Sequence, residues 1–368
     1  MRITHLVLSF PGGGKEKRLL QLIQGMNERG YNDIQLIIID NVIDYPEIYD
    51  TSARLDIVNI SQKTRNPFKI CCQLRKLIAD YNPDIVQVWG VLASLYLDFA
   101  FLRKKFKYVL SYVADCNKPK MVSIENVVNK ISVHRSDAVI GNSLAGLTAY
   151  SIPIDKAHCI YNGYNSKRKN KVCGLNILDK KNELSIDTRF VVSMIGRVCE
   201  HKDFKCYIDI ARIILQHRDD VTFLAIGKGP QLEYYKSLLS DQEKDKIRFL
   251  GFRNDTDELL MITDISVLCT NFINHQEGVS NVILESMYLG KPVLATHGGG
   301  SPEIITDGVD GYLIKENNVN DFVDKLELLL NDDLTYTQFS NHAITKVEEK
   351  FSLEKSVDAY INLYKCLC

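Results

Sequence analysis

Phe190-Val191-Val192-Ser193-Met194-Ile195-Gly196-Arg197 is an apolar, β-branched-rich run that ends in a glycine and a cation. A helical pattern over Lys205–Leu215 follows it, then a second apolar run, Val221–Ile226, which also ends in glycines, at Gly227-Lys228-Gly229-Pro230. Short apolar runs separated by helices of ten or more residues imply parallel strands joined by crossovers. Downstream the alternation continues through Ile247–Leu250, Ile265–Cys269, a helix from about Asn281, and Pro292–Thr296. Upstream it has already run once, through Ile3–Ser9, a helix Glu16–Arg29, Ile34–Ile39, a helix around Phe68–Tyr81, Asp84–Trp89, Tyr108–Val113 and Ala138–Asn142. The expected fold is therefore α/β, with two successive parallel-sheet domains facing each other across a cleft. Ligands of such sheets bind outside the carboxyl ends of the strands.

The two alternations are separated by Ser166-Lys167-Arg168-Lys169-Asn170-Lys171 and a stretch without apolar period. This gives domains at 1–165 and 188–352, with a linker or exposed loop at 166–187 and a last helix at about 353–368. The 368 residues suit two domains. With 45 Lys+Arg against 46 Asp+Glu, nothing supports wholesale nucleic-acid binding. That neutrality is an average, because residues 1–165 carry 20 cations against 15 anions and the remainder 25 against 31. Arg103-Lys104-Lys105 with Lys107 is the sharpest basic cluster, either a solvated helix end or a contact for an anionic membrane surface. No apolar stretch reaches the length of a membrane span or a signal peptide, so the expected location is cytoplasmic. The 10 cysteines show no metal-ligand spacing and are expected to be free thiols.

Glycine turns recur after strands. Pro11-Gly12-Gly13-Gly14 matches neither the dinucleotide fingerprint nor a P-loop, since Lys17 stands where the last glycine would be and Gly14-Lys15-Glu16 breaks G-K-[ST]. Arg197 and Lys202 lie just past a strand end, where they either grip a diphosphate or remain solvated loop cations. Glu277-Gly278-Val279-Ser280-Asn281-Val282-Ile283-Leu284-Glu285 sets two carboxylates eight residues apart around a helix start near Ser280–Asn281. The free N–H groups of that start suit a phosphate, and the glutamates suit hydroxyls on either side of it. The plainer alternatives are a helix-dipole partner for Glu277 and a paired helix carboxylate for Glu285. Gly298-Gly299-Gly300-Ser301-Pro302-Glu303 adds another turn in the same region.

The ordered set Gly196-Arg197, Lys202, Gly227 to Pro230, Arg248 to Phe252, Glu277 to Glu285, Gly290 to Thr296 and Gly299 to Glu303 resembles the donor-binding half of family 4 glycosyltransferases. Gly13-Gly14-Lys15-Glu16, Val139 to Ser143 and Ile160 to Gly163 resemble the family's markers in its first half. The resemblance implies the GT-B fold and a last helix packed back on the first domain. It also implies transfer of a sugar from a nucleotide-diphosphate sugar, UDP- or GDP-linked, to an acceptor hydroxyl with retention. Arg197 and Lys202 would then neutralise the departing diphosphate, and Glu285 would hold ribose hydroxyls. Glu277 would hold donor-sugar hydroxyls, with the Gly278, Val279, Ser280, Asn281 and Val282 segment on the sugar or distal phosphate. Phe252 would lie near the base, and Gly13, Gly14 and Gly196 would line the donor. A saccharide or lipid-linked acceptor in surface-polysaccharide assembly is the family expectation, with the enzyme peripheral to the inner membrane face.

One position departs from the family. A first-domain histidine aligns with Val113, and Asp115 is the available polar substitute, unless it only caps a turn. Asp255-Thr256-Asp257 is expected to N-cap a helix, and no essential metal or other cofactor is expected. A nucleotide-sugar 2-epimerase and a non-catalytic nucleotide-sugar-binding protein are the competing readings.

Overall fold

The computed structural model describes residues 1–11, 13–59, 66–113, 115–118, 123–272, 276–316 and 318–368. Gly12 of the first glycine turn lies outside them. The chain divides into two compact units, Met1–Asn162 with Leu353–Cys368, and Gly163–Ser352.

The first unit holds seven strands: β1 (Ile3–Val7), β2 (Ile34–Asp40), β3 (Arg54–Asn59), β4 (Ile85–Trp89), β5 (Lys107–Val113), β6 (Ala138–Gly141) and β7 (Ala157–Cys159). They pair in parallel in the order β3-β2-β1-β4-β5-β6-β7. The crossovers include helices α1 (Gly14–Glu28), α2 (Pro67–Tyr81), α3 (Val91–Ala100), α4 (Ile124–Arg135) and α5 (Leu144–Ala149). Ile3, Val7, Ile85 and Trp89 pack on one face with Leu19, Leu22 and Ile23 of α1. Leu6, Val86 and Val88 pack on the other with Leu74, Leu97 and Val133 of α2, α3 and α4. Both faces are covered, which is why these strands read as nearly unbroken apolar runs.

The second unit repeats the plan with β8 (Phe190–Ile195), β9 (Val221–Ile226), β10 (Ile247–Gly251), β11 (Ile265–Leu268), β12 (Val293–Thr296) and β13 (Gly311–Ile314), in the parallel order β10-β9-β8-β11-β12-β13. Its helices are α6 (Ser166–Val172), α7 (Ile177–Glu183), α8 (Phe204–Leu215), α9 (Leu232–Ser237), α10 (Thr256–Ile262), α11 (Asn281–Tyr288), α12 (Ser301–Ile304), α13 (Val319–Asn331) and α14 (Asp333–Lys350). Strand order reverses at β8, which β9 and β11 flank, so the loops after β8 and β11 open at the switch point.

The chain then returns to the first unit as α15 (Leu353–Leu367), whose Val357, Tyr360, Ile361 and Tyr364 are buried in the α1 face. Burying such a side chain contributes about 1.5–3 kcal/mol. A Cβ on Gly25 of α1 would stand 2.6 Å from Val357, so a glycine permits the close approach of α1 and α15. No helix among the described residues is long and apolar enough to cross a membrane.

The expectation of a loop at 166–187 does not hold. Asn165 caps α6 by accepting from the Lys167 N–H at 3.0 Å, and Asn176 caps α7 by accepting from Leu178 at 3.1 Å. Val172 and Ile186 are buried with Val191, Leu224 and Leu260, so the segment belongs to the second unit. Its polarity misleads because its buried charges are paired. Lys180 donates to Asp255 at 2.6 Å and to Glu183 at 2.9 Å, and forms an ion pair with Glu258.

Candidate active site

The site in the second unit is built from loops that leave the carboxyl ends of the parallel strands. The loop after β8 is stitched to both neighbours. The Val198 N–H donates to the Lys228 carbonyl at 3.1 Å on one side, and the Asp203 N–H to Cys269 at 3.1 Å on the other. Two glycines let this happen. A Cβ on Gly227 would stand 1.8 Å from the Gly196 oxygen, and one on Gly229 2.0 Å from that of Val198. Those contacts leave no room for any side chain.

Arg197 is exposed near the start of this loop. The Lys202 stem lies across Gly196, with Cε 3.6 Å from where a Cβ would be. Its ammonium forms an ion pair with Glu277, Lys202 donating to Oε2. Both side chains are largely shielded from water, which strengthens the attraction over that of a surface pair. Glu277 is held by its backbone as well. The Gly300 N–H donates to the Glu277 carbonyl at 3.0 Å, and a Cβ on Gly299 would fall 2.0 Å from that same oxygen. The turn after β12 thus braces the loop before α11, which explains the run of glycines at 298–300.

Helix α11 starts at Asn281 as expected, with Ser280 at the cap position, although the Ser280 side chain makes no capping hydrogen bond. Gly278, Val279 and Ser280 are buried, and Asn281 and Val282 partly so. Glu285 lies one turn further in and is buried, and it is paired with a cation, as the plainer reading of it expects. Phe252, at the end of β10, is 59% exposed, and Lys228 Nζ sits 4.5 Å from its ring centre. That pair is an open aromatic platform beside a cation.

Sequence reasoning missed Arg168. This side chain of α6 donates from Nη1 to Glu285 Oε1, and from Nε to Asp257 Oδ2 at 3.0 Å. Its guanidinium also lies 5.5 Å from the Tyr164 ring centre. Burial alone would lower the Arg168 pKa, but Glu285 and Asp257 more than reverse it and hold the cation above its ordinary range. In sequence Arg168 is one of several cations in a basic run, and nothing there separates the buried one from the solvated ones.

The Asp255–Asp257 expectation is corrected in the same way. Asp255 occupies the cap position of α10 but makes no capping hydrogen bond. Instead it accepts from Arg253 Nε at 2.8 Å and from Lys180. The hydrogen bond from Arg253, opposed by burial and helped by Lys180, holds its carboxyl down at about 2. Cations use both acids, and among the described residues no group of three or more His, Cys, Asp or Glu is gathered as metal ligands would be.

Gly13, Gly14 and Asp115 belong to the first unit. Gly13 precedes α1, and a Cβ there would stand 2.5 Å from Glu16 Oε2. Gly14 is the first residue of α1. Asp115 Oδ1 accepts from the Asn117 N–H at 3.0 Å and from the Tyr150 hydroxyl at 3.2 Å, as an aspartate that fixes a turn does. Val113, in the position of the family's histidine, is fully buried.

Residues 176–346 match the family model described as Glycosyl transferases group 1. The chain is 23% identical over 376 residues to the lipopolysaccharide core biosynthesis glycosyltransferase LpsE of Rhizobium meliloti, covering 99% of this chain and 98% of that one. It is 24% identical over 398 residues to the N,N'-diacetylbacillosaminyl-diphospho-undecaprenol alpha-1,3-N-acetylgalactosaminyltransferase of Campylobacter jejuni, covering 99% and 98%. Among solved structures, Anabaena HepE in complex with UDP superimposes with a TM-score of 0.82 over 100% of both chains at 19% identity. At that identity the likeness speaks for the fold, two Rossmann-like parallel-sheet units of the GT-B kind.

Proposed function

Because the chain belongs to the group 1 glycosyl transferases, we propose that its second unit holds a nucleotide-diphosphate sugar on the loops after β8, β11 and β12, for retaining transfer to an acceptor hydroxyl. The observation that carries this reading is the half-buried Lys202–Glu277 pair, which ties the loop after β8, with its exposed Arg197, to the loop before α11. The cations meet the charge that grows on the diphosphate as the sugar leaves. The C1–O bond to the diphosphate breaks while the acceptor oxygen bonds C1 on the same face, and the acceptor proton passes to the leaving phosphate. Glu277 orients sugar hydroxyls, Glu285 orients ribose hydroxyls, and Phe252 with its neighbouring main chain meets the base. Arg197 and Lys202 supply the positive charge in this reading, so turnover proceeds without an added divalent metal.

For the acceptor, the reading is a saccharide or lipid-linked saccharide at the cytoplasmic face of a membrane. The two relatives above carry lipopolysaccharide and diphospho-undecaprenol in their names. The first unit supports it further. Helices α3 and α4 pack on the same sheet face and expose Phe99, Ile124, Val127, Lys130 and Ile131, and the loop after α3 exposes Leu102, Arg103 and Lys105. Apolar side chains rimmed by cations suit an anionic lipid surface. Sedimentation with phosphatidylglycerol vesicles, and its absence with phosphatidylcholine alone, tests this contact.

The chemistry is tested by incubating the protein with UDP- and GDP-sugars. Slow release of nucleoside diphosphate and free sugar is expected without acceptor, and faster release with it. Formation of an epimeric nucleotide-sugar, or no consumption of any donor, would contradict the assignment.

A further inference from the structure

Three elements of the second unit converge on one guanidinium. Arg168 comes from α6, Asp257 from α10 and Glu285 from α11, and sequence separations of 89 and 117 residues join at this point. The arrangement is asymmetric. Two nitrogens of Arg168, Nε and Nη2, face the two oxygens of Asp257, the paired geometry in which Arg binds carboxylate most firmly. Glu285 accepts from Nη1, through Oε1. A carboxylate offers about four acceptor sites, and Arg168 takes one of those on Glu285 while pairing both oxygens of Asp257. Below the guanidinium lies the buried Tyr164 ring, itself 4.2 Å from the Tyr288 ring of α11. Tyr164 and Arg168 lie just past Asn162, among the first residues of the second unit.

Taking the Arg168 cation away from a carboxylate as buried as Glu285 shifts it toward protonation, and a protonated acid accepts less well from two hydroxyls. We infer that Arg168 is a positioning residue that keeps Glu285 charged and aimed at the nucleotide ribose, so that the segment just past Asn162 sets donor affinity. The inference rests on the assignment of Glu285 to the ribose made above. Arg168 touches no substrate in this account and acts only through Glu285. A guanidinium that merely plugged the site would have the opposite effect on affinity, because its removal would free Glu285 for the ribose.

The test is calorimetric binding of UDP and of 2′,3′-dideoxy-UDP, which lacks the ribose hydroxyls, with the GDP pair run in parallel. Wild type is expected to prefer the hydroxylated nucleotide. Arg168→Gln should weaken it about 10- to 100-fold, the range of a charge-assisted hydrogen bond, and leave the dideoxy nucleotide unchanged. Glu285→Gln should do the same, and Arg168→Gln added to Glu285→Gln should cost nothing more. Arg168→Lys, which keeps the charge without the fork, should fall between wild type and Arg168→Gln. Should Arg168→Gln fail to fold, with two buried carboxylates left side by side, Arg168→Gln/Asp257→Asn removes one of them and carries the same expectation. Unchanged or tighter UDP binding in Arg168→Gln, or equal weakening of both nucleotides, would overturn the inference. If wild type binds nucleotide but ignores the ribose hydroxyls, the ribose assignment falls. If it binds neither nucleotide, the donor site and this inference fall together.

Discussion

Replacing Gly299 with alanine separates the brace on Glu277 from ordinary backbone strain. Gly299 has φ +55°, and its Cβ would lie 2.0 Å from the Glu277 oxygen. Restoring ordinary contact requires the turn after β12 and the loop before α11 to part by roughly 1.5 Å. The left-handed conformation itself costs an alanine about 1 kcal/mol. Breaking the Gly300-to-Glu277 hydrogen bond, 3.0 Å long, adds about 1 kcal/mol. Gly308→Ala is the matched control, since Gly308 has φ +72° but nothing within 4 Å of its Cβ. Both variants should melt below wild type, Gly308→Ala by the strain alone and Gly299→Ala by about twice as much. Only Gly299→Ala moves Glu277, and a displacement of about 1 Å at a reacting centre costs about 100-fold in turnover. The assay is kcat for donor consumption beside a thermal melt of each variant. Near wild-type turnover in Gly299→Ala, or an equal loss in Gly308→Ala, would refute the brace.

Arg197→Ala and Lys202→Ala should each lower kcat about 100- to 1,000-fold while circular dichroism stays native, as expected for groups that act on transition-state charge. His5 gives the first unit an acid sensitivity. Complete burial, opposed by a hydrogen bond with Gln87, lowers its pKa from 6.5 to about 3, so the unfolded chain takes up a proton that the folded one refuses. Stability is therefore whole above pH 6.5 and falls as pH drops toward 3. Between pH 6.5 and 5 the share from His5 is about 1.5 kcal/mol, measured by urea melts, and that share should be missing in His5→Gln.

Much of the architecture was legible because periodicity reports burial. Strands such as β4, β8 and β9 are apolar and buried on both faces, α15 stands out as an amphipathic run, and the half-exposed edge strands β3 and β7 carry no such signal. The glycine turns were legible as well, although sequence does not reveal their partners: that Gly299 abuts Glu277 and Gly227 abuts Gly196 follows only from the sheet order. Helices α6 and α7 were not legible. They are held by capping asparagines and by cations paired with acids more than 70 positions away, and such pairing leaves no local period. Asp257 was read as part of a cap for the same reason, because its partner Arg168 lies on another helix. At Asp115 the turn chemistry is visible in both sequence and structure, and its contacts are those of a turn residue.

The central claim, a nucleotide-sugar site on the loops of the second unit, is tested most directly by thermal denaturation against a panel of UDP- and GDP-sugars. A donor present at about 100 times its Kd should stabilise wild type by about 2.7 kcal/mol, and far less in Lys202→Ala and Glu285→Gln. A panel in which no nucleotide-sugar shifts wild type, or in which the same one shifts all three proteins equally, would contradict it.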